Sequence, residues 1–314
     1  MGGAFVEETH KFLAGLGLPT GDVHQLPNST KRFPDGAQVR IEIPSVEGPN
    51  VLAAVIEASK EYEVPIHRVS QGSGIMLCTD AEIREMLALA AGHGIEVSLF
   101  VGPRSTWDIT AASHTPSGKG QALRHEGMDQ LVYALEDIKR GCRLGLRGVL
   151  VADEGLLFIV NEMKKAGQLP ADLVVKVSVS MGAANPVSIR HLEEMGAGTY
   201  NVPSSLTLTR LGAIRQAVNI PLDLYVESPD DFGGSIRFYE IPEIVRVVSP
   251  VYVKFGLRNA VNVYPSGVHI EQMAVAQCRE KVRRAAIGLE ILRRYYPEAV
   301  MSEMGASDLA VPQI

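Results

Sequence analysis

Six charged residues stand at alternate positions of runs otherwise rich in valine, isoleucine and leucine. They are Arg40, Glu42, Lys176, Asp223, Glu227 and Lys254. A charge among apolar groups costs several kcal/mol unless it is paired or meets water. Three of the six are cationic and three anionic, which predicts a paired network running into a wet pocket. Glu227, Asp153 and Glu42 are the candidate catalytic carboxylates, suited to general acid–base work. Lys254 is the candidate catalytic cation. It could stabilise developing negative charge, and either barrel lysine could form a Schiff base if desolvation lowered its pKa. Lys176 and Asp223 come early in their runs and are read as a structural pair.

Candidate substrate-binding groups surround these. Arg104 and His114 belong to the stretch Pro103 to Gly127, which also holds the only tryptophan, Trp107, and reads as a lid. Gln71 opens Gln71-Gly72-Ser73-Gly74, whose backbone amides could approach an anion. Ser180 and Asn201 continue the polar face of their runs, and Arg258 follows Gly256. Acidic loop residues beside basic ones leave two options open: a zwitterionic ligand, or a divalent ion with an anion. No residue is assigned as a metal ligand.

Eight short runs must position these groups: Val39 to Ile43, Arg68 to Ser70, Val97 to Val101, Val149 to Ala152, Val174 to Val179, Thr199 to Val202, Leu222 to Val226 and Val251 to Phe255. Amphipathic stretches separate them, and Asn185-Pro186 reads as a helix cap followed by proline at the first helical position. Strands alternating with helices imply parallel pairing, and eight units in about 260 residues match a (β/α)8 TIM barrel. Ligand sites in that fold lie at the C-terminal ends of the strands. An open doubly wound sheet is the rival, weakened by the lack of a glycine-rich nucleotide motif. The reading is one barrel domain at 36–297, an N-terminal extension at 1–35 and a C-terminal tail at 298–314.

The 314 residues carry 30 Lys+Arg against 36 Asp+Glu, a net charge of −6 that speaks against nucleic acid as a partner. No apolar run is long enough for a membrane helix, so no membrane partner is expected. Three scattered cysteines (Cys78, Cys142, Cys278) fit a cytoplasmic location without a disulfide framework. The expected partners are a small-molecule substrate and further copies of the chain, as a homo-oligomer.

Residues 147–231 resemble the U32 peptidase family. The carriers are Arg147-Gly148-Val149-Leu150-Val151-Ala152-Asp153-Glu154-Gly155-Leu156-Leu157, then Val177 to Asn185, the helix-like Ile189 to Ala197, and Tyr200 to Leu208. The resemblance implies a barrel and a hydrolase of the peptidase kind. The family's seventh-strand signature carries a cysteine where this chain has Asp231. Branches of that family with an iron–sulfur cluster use four cysteines, so the resemblance implies no cluster here.

The expectation is therefore a U32 peptidase-like enzyme acting on a small, polar, anionic metabolite. An aldolase, lyase or isomerase using a barrel lysine or a divalent metal is the alternative, and a non-enzymatic complex subunit ranks below both.

Overall fold

A computed structural model describes residues 4–22, 25–104 and 123–314. Eight parallel strands close into a barrel in sequence order. They are β1 (Val39–Pro44), β2 (Arg68–Gln71), β3 (Glu96–Phe100), β4 (Gly148–Val151), β5 (Val174–Val177), β6 (Thr199–Asn201), β7 (Leu222–Glu227) and β8 (Val251–Phe255). Helix α1 (Ala4–Gly15) precedes the barrel. The others are α2 (Pro49–Glu61), α3 (Asp80–Ala91), α4 (Gly127–Arg143), α5 (Glu154–Lys165), α6 (Pro186–Glu194), α7 (Leu208–Ala217), α8 (Ile241–Val248) and α9 (Glu271–Tyr295). The fold is a (β/α)8 TIM barrel, as the alternation of runs predicts.

Strand alternation sorts the side chains. Val39, Ile41, Ile43, Val69, Val97, Val149, Val151, Val175, Leu222, Leu224, Val251 and Val253 face the helices and share one apolar core. The helices are cut where local chemistry ends them. Thr79 and Glu82 form a capping box at α3, and Asn185 caps α6 with Pro186 at its first turn. None of the described helices is long and apolar enough to cross a membrane.

The N-terminal end of the barrel is plugged from both chain ends. Arg40 is held by Asp308 at 2.6 Å and by Ser302, and its guanidinium stacks 3.9 Å from the Phe33 ring. Phe33 packs edge-on against Tyr252, with ring centroids 5.3 Å apart. His67 is buried beside this plug. Its Nδ1 accepts from the Ile41 amide at 3.0 Å, which leaves Nε2 to donate to the Ser302 carbonyl at 2.8 Å. That is the neutral imidazole, and burial pushes its pKa down to about 4. Between pH 6.5 and 4 the unfolded chain takes up a proton that the folded chain refuses, so stability falls as pH falls through that window. A loss on the order of 3 kcal/mol is expected there. Urea midpoints against pH should drop in the parent and stay flatter over the same window in His67→Asn.

Candidate active site

Above the plug lies the charged layer. Glu42 on β1 is fully buried. It accepts from the Lys176 ammonium, from Ser70 Oγ at 2.8 Å and, as ion pairs, faces Lys254 at 3.2 Å and Arg68 at 3.5 Å. Burial alone would raise its pKa, but Lys176, Lys254 and Arg68 outweigh it and hold the carboxyl well below its usual range. Arg68 also grips Glu96 at 2.6 Å and Asp223 at 3.1 Å, and stacks over Tyr252. Lys176 pairs with Asp223 at 3.2 Å, the structural pairing expected from its early position. Burial lowers the Lys176 pKa, against the pull of Asp223 and Glu42. The layer thus sets Arg68, Lys176 and Lys254 against Glu42, Glu96 and Asp223, a formal sum of zero.

Over this layer, at the C-terminal ends of the strands, opens a cavity of about 470 Å³. Its floor includes Ser70, Asn201, Tyr225 and Lys254. Of the two barrel lysines only Lys254 lines it; Lys176 is sealed beneath. The Lys254 ammonium donates to Asn201 Oδ1 and sits 4.3 Å from the Tyr225 ring centroid. Such a cavity is of ordinary size for a small metabolite.

Several candidate residues reach it. Arg104 lines the wall, donates to the Gly72 carbonyl at 2.7 Å and stacks on Phe100. Burial pushes its pKa down to about 10. Ser180 lines the cavity too, though not as a strand residue. β5 ends at Val177, and residues Val179–Met181 form a short 3-10 turn whose N-cap, Ser178, accepts from the Ser180 amide. Gln71 also touches the cavity, but its amide group bonds Gly74 at both ends.

Others are placed elsewhere. Glu227 does not enter the cavity. A β-bulge between Tyr225 and Glu227 breaks the alternation, so Glu227 pairs opposite the helix-facing Phe255. Its carboxylate accepts from the Arg258 amide at 3.0 Å and lies 3.9 Å from Arg284 on α9. Asp153 is occupied as the N-cap of α5, accepting from Leu156 N at 2.8 Å and His125 N at 3.1 Å. Burial would raise its pKa, but these bonds and the His125 ring bring it down to about 2. Arg258 points to solvent and pairs with Asp230 at 3.3 Å. Trp107 and His114, with most of the stretch read as a lid, lie outside the described residues.

The glycine-rich loop after β2 does cradle an anion, but one of the chain's own. Glu47 accepts from Gly72 N at 2.7 Å, Ser73 N at 3.0 Å and Ser73 Oγ at 2.5 Å. Tyr264 closes the same corner, donating to Ser45 Oγ at 2.6 Å. A Cβ on Gly72 would stand 2.4 Å from the Tyr264 ring. Gly72→Ala is therefore expected to displace Tyr264 and cost about 1–3 kcal/mol, as overpacking does, measured by urea unfolding.

Arg68, Glu96, Glu47, Tyr264 and Lys281 escaped the sequence reading. Arg68 and Ser70 flank Val69, so a period of two puts them inside, and β3 begins one residue earlier than read, at Glu96. Lys281 falls on the apolar stripe of α9 beside Cys278, Val282 and Ala285, an anomaly visible in the spacing alone. Among the described residues no three His, Cys, Asp or Glu side chains converge to hold a metal ion.

No family model and no curated protein matches the chain. Solved structures resemble it as a fold. A putative fructose-1,6-bisphosphate aldolase from Coccidioides immitis is 14% identical, with 93% of this chain and 96% of that one covered and a TM-score of 0.48. A U32 peptidase is 16% identical over 90% and 94% of the two chains, with a TM-score of 0.40. A 3-hexulose-6-phosphate synthase is 13% identical over 78% and 99%, with a TM-score of 0.41.

Proposed function

We propose that this barrel is an enzyme acting on a small carbonyl-bearing metabolite, with Lys254 as the amine that forms an imine with it. The supporting observation is that Lys254 is the cation of the charged layer that opens onto the cavity. In the reaction a C=N bond replaces the C=O bond. The oxygen leaves as water with two of the three ammonium protons, and the iminium keeps the positive charge. The zero sum of the buried layer is therefore preserved, where loss of a charge would strand a carboxylate. Glu42, 3.2 Å from the amine and held ionised by its three cationic neighbours, balances the positive charge of the ammonium before the step and of the iminium after it. The reading belongs to the lyase and aldolase side of the expectation. The two carboxylates expected to serve a hydrolytic reading, Glu227 and Asp153, are both held elsewhere, and of the acidic residues on the cavity wall Asp230 is taken up by Arg258 and Asn259.

Incubation with pyruvate and sodium borohydride tests the reading. A reduced adduct is expected, with peptide mapping placing it on Lys254. No adduct on Lys254 at saturating pyruvate would remove the proposal.

A further inference from the structure

The second lysine of the cavity belongs to neither the barrel interior nor the charged layer. Lys281 projects from α9 over the end of β1 and is only 3% exposed. Its ammonium donates to the Pro44 carbonyl at 2.9 Å, and no carboxylate among the described residues lies within ion-pairing distance. The nearby Glu47 is already satisfied by Gly72 and Ser73. Lys281 therefore carries a buried charge whose direct partner is neutral and whose nearest anion, Glu47, acts on it only through space, and it faces the same cavity as Lys254. An ammonium has three donors, and leaving a buried one without an anion is costly unless a ligand completes it.

We propose that Lys281 is the anion-recognition residue of this site and that the natural ligand carries an oxyanion, a carboxylate or a phosphate, beside its carbonyl carbon chain. This rests on the imine reading for the second half of the ligand but not for the first. The two lysines divide the work. Lys254 is already balanced by Glu42, so an added anion gains little there. Lys281 has no carboxylate in direct contact among the described residues, so a ligand anion would supply the contact that Glu47 makes only at longer range. Its partner Pro44 is two residues beyond Glu42 on β1, so the anion would sit at the rim while the carbonyl reaches the floor. On the loop after β8, Val263 is buried against the same side of the cavity, which lowers the local polarity and strengthens the pairing. Gln277, one turn earlier on α9, donates to the Val261 carbonyl at 2.9 Å and fixes that loop beside the ammonium.

The test separates the two proposals. Calorimetric binding of inorganic phosphate and of pyruvate at low salt involves no imine when phosphate is the probe. The wild-type protein should bind phosphate, and Lys281→Met should lose at least tenfold in affinity while Lys281→Arg retains most of it. Pyruvate should be trapped on Lys254 faster than the neutral hydroxyacetone by tenfold or more, and Lys281→Met should bring that ratio close to one. An unchanged ratio and unchanged phosphate affinity in Lys281→Met would overturn the assignment, even if trapping on Lys254 is intact. Loss of trapping with phosphate binding still dependent on Lys281 would instead remove the imine reading alone. Footprinting covers the case in which Lys281→Met fails to fold. In the wild-type protein, phosphate should protect Lys281 from reductive methylation, and equal labelling with and without phosphate would refute the assignment. Whether phosphate or a carboxylate is preferred follows from competition between phosphate and acetate for that protection.

Discussion

Glu42→Gln is expected to destabilise the fold by about 3–5 kcal/mol, the usual cost of removing one partner from a buried ion network. Three cations, Arg68, Lys176 and Lys254, would then face two carboxylates, Glu96 and Asp223, with almost no access to solvent. Against a typical total of about 5–15 kcal/mol, that brings the protein near its unfolding threshold at room temperature. The effect carries its own pH signature. The folded-state pKa of Glu42 is depressed, so its contribution is fully present above the unfolded value of about 4.3 and declines as pH falls below it. The gap in urea midpoint between parent and variant should therefore be widest at neutral pH and shrink in acid. Pairing Glu42→Gln with Lys176→Met should recover part of the loss, because charge balance returns. A double-mutant cycle with a coupling energy near zero would mean that the two side chains are screened by water and that the layer is not dry.

The architecture was readable because it depends on two periods and a count. Valine and isoleucine at alternate positions marked the strands, caps such as Asn185 and Pro186 marked the helices, and eight units closed the barrel. The charged layer was readable in part for the same reason: Glu42, Lys176, Asp223 and Lys254 point inward as the alternation requires, and so does Arg40 in the plug beneath them. Alternation fails where a strand stops being regular. The bulge at Tyr225 to Glu227 turned the most attractive carboxylate toward α9, and no feature of Leu222 to Glu227 announces an extra residue. Asp153 shows a different limit. An aspartate ending a strand and starting a helix suits catalysis and capping equally, and only the bond from Leu156 N decides that it caps. The Gly72 and Ser73 amides, expected to approach a ligand, bind Glu47 instead, which comes from the preceding βα loop, a pairing that local sequence does not encode.

Lys254→Arg and Lys254→Met should separate charge from nucleophilicity at the centre of the cavity. Arginine keeps the positive charge opposite Glu42 but stays protonated, so it cannot form an imine. Methionine removes both, leaving Glu42, Glu96 and Asp223 to share Arg68 and Lys176. If Lys254 is the imine-forming amine, both variants should lose borohydride-trapped adduct by at least about 10³-fold, as removal of a covalent nucleophile does. Their stabilities should differ, with Lys254→Arg close to the parent and Lys254→Met lower by about 1–3 kcal/mol because a buried carboxylate layer has lost a partner. A cation needed only to bind a negatively charged ligand predicts the opposite pattern. Lys254→Arg would then keep most activity and only Lys254→Met would lose it. Trapping yield and urea midpoint measured side by side on the two variants therefore assign Lys254 to covalent chemistry or to electrostatics, because the layer beneath the cavity offers the ammonium a carboxylate partner, Glu42, whichever role it plays.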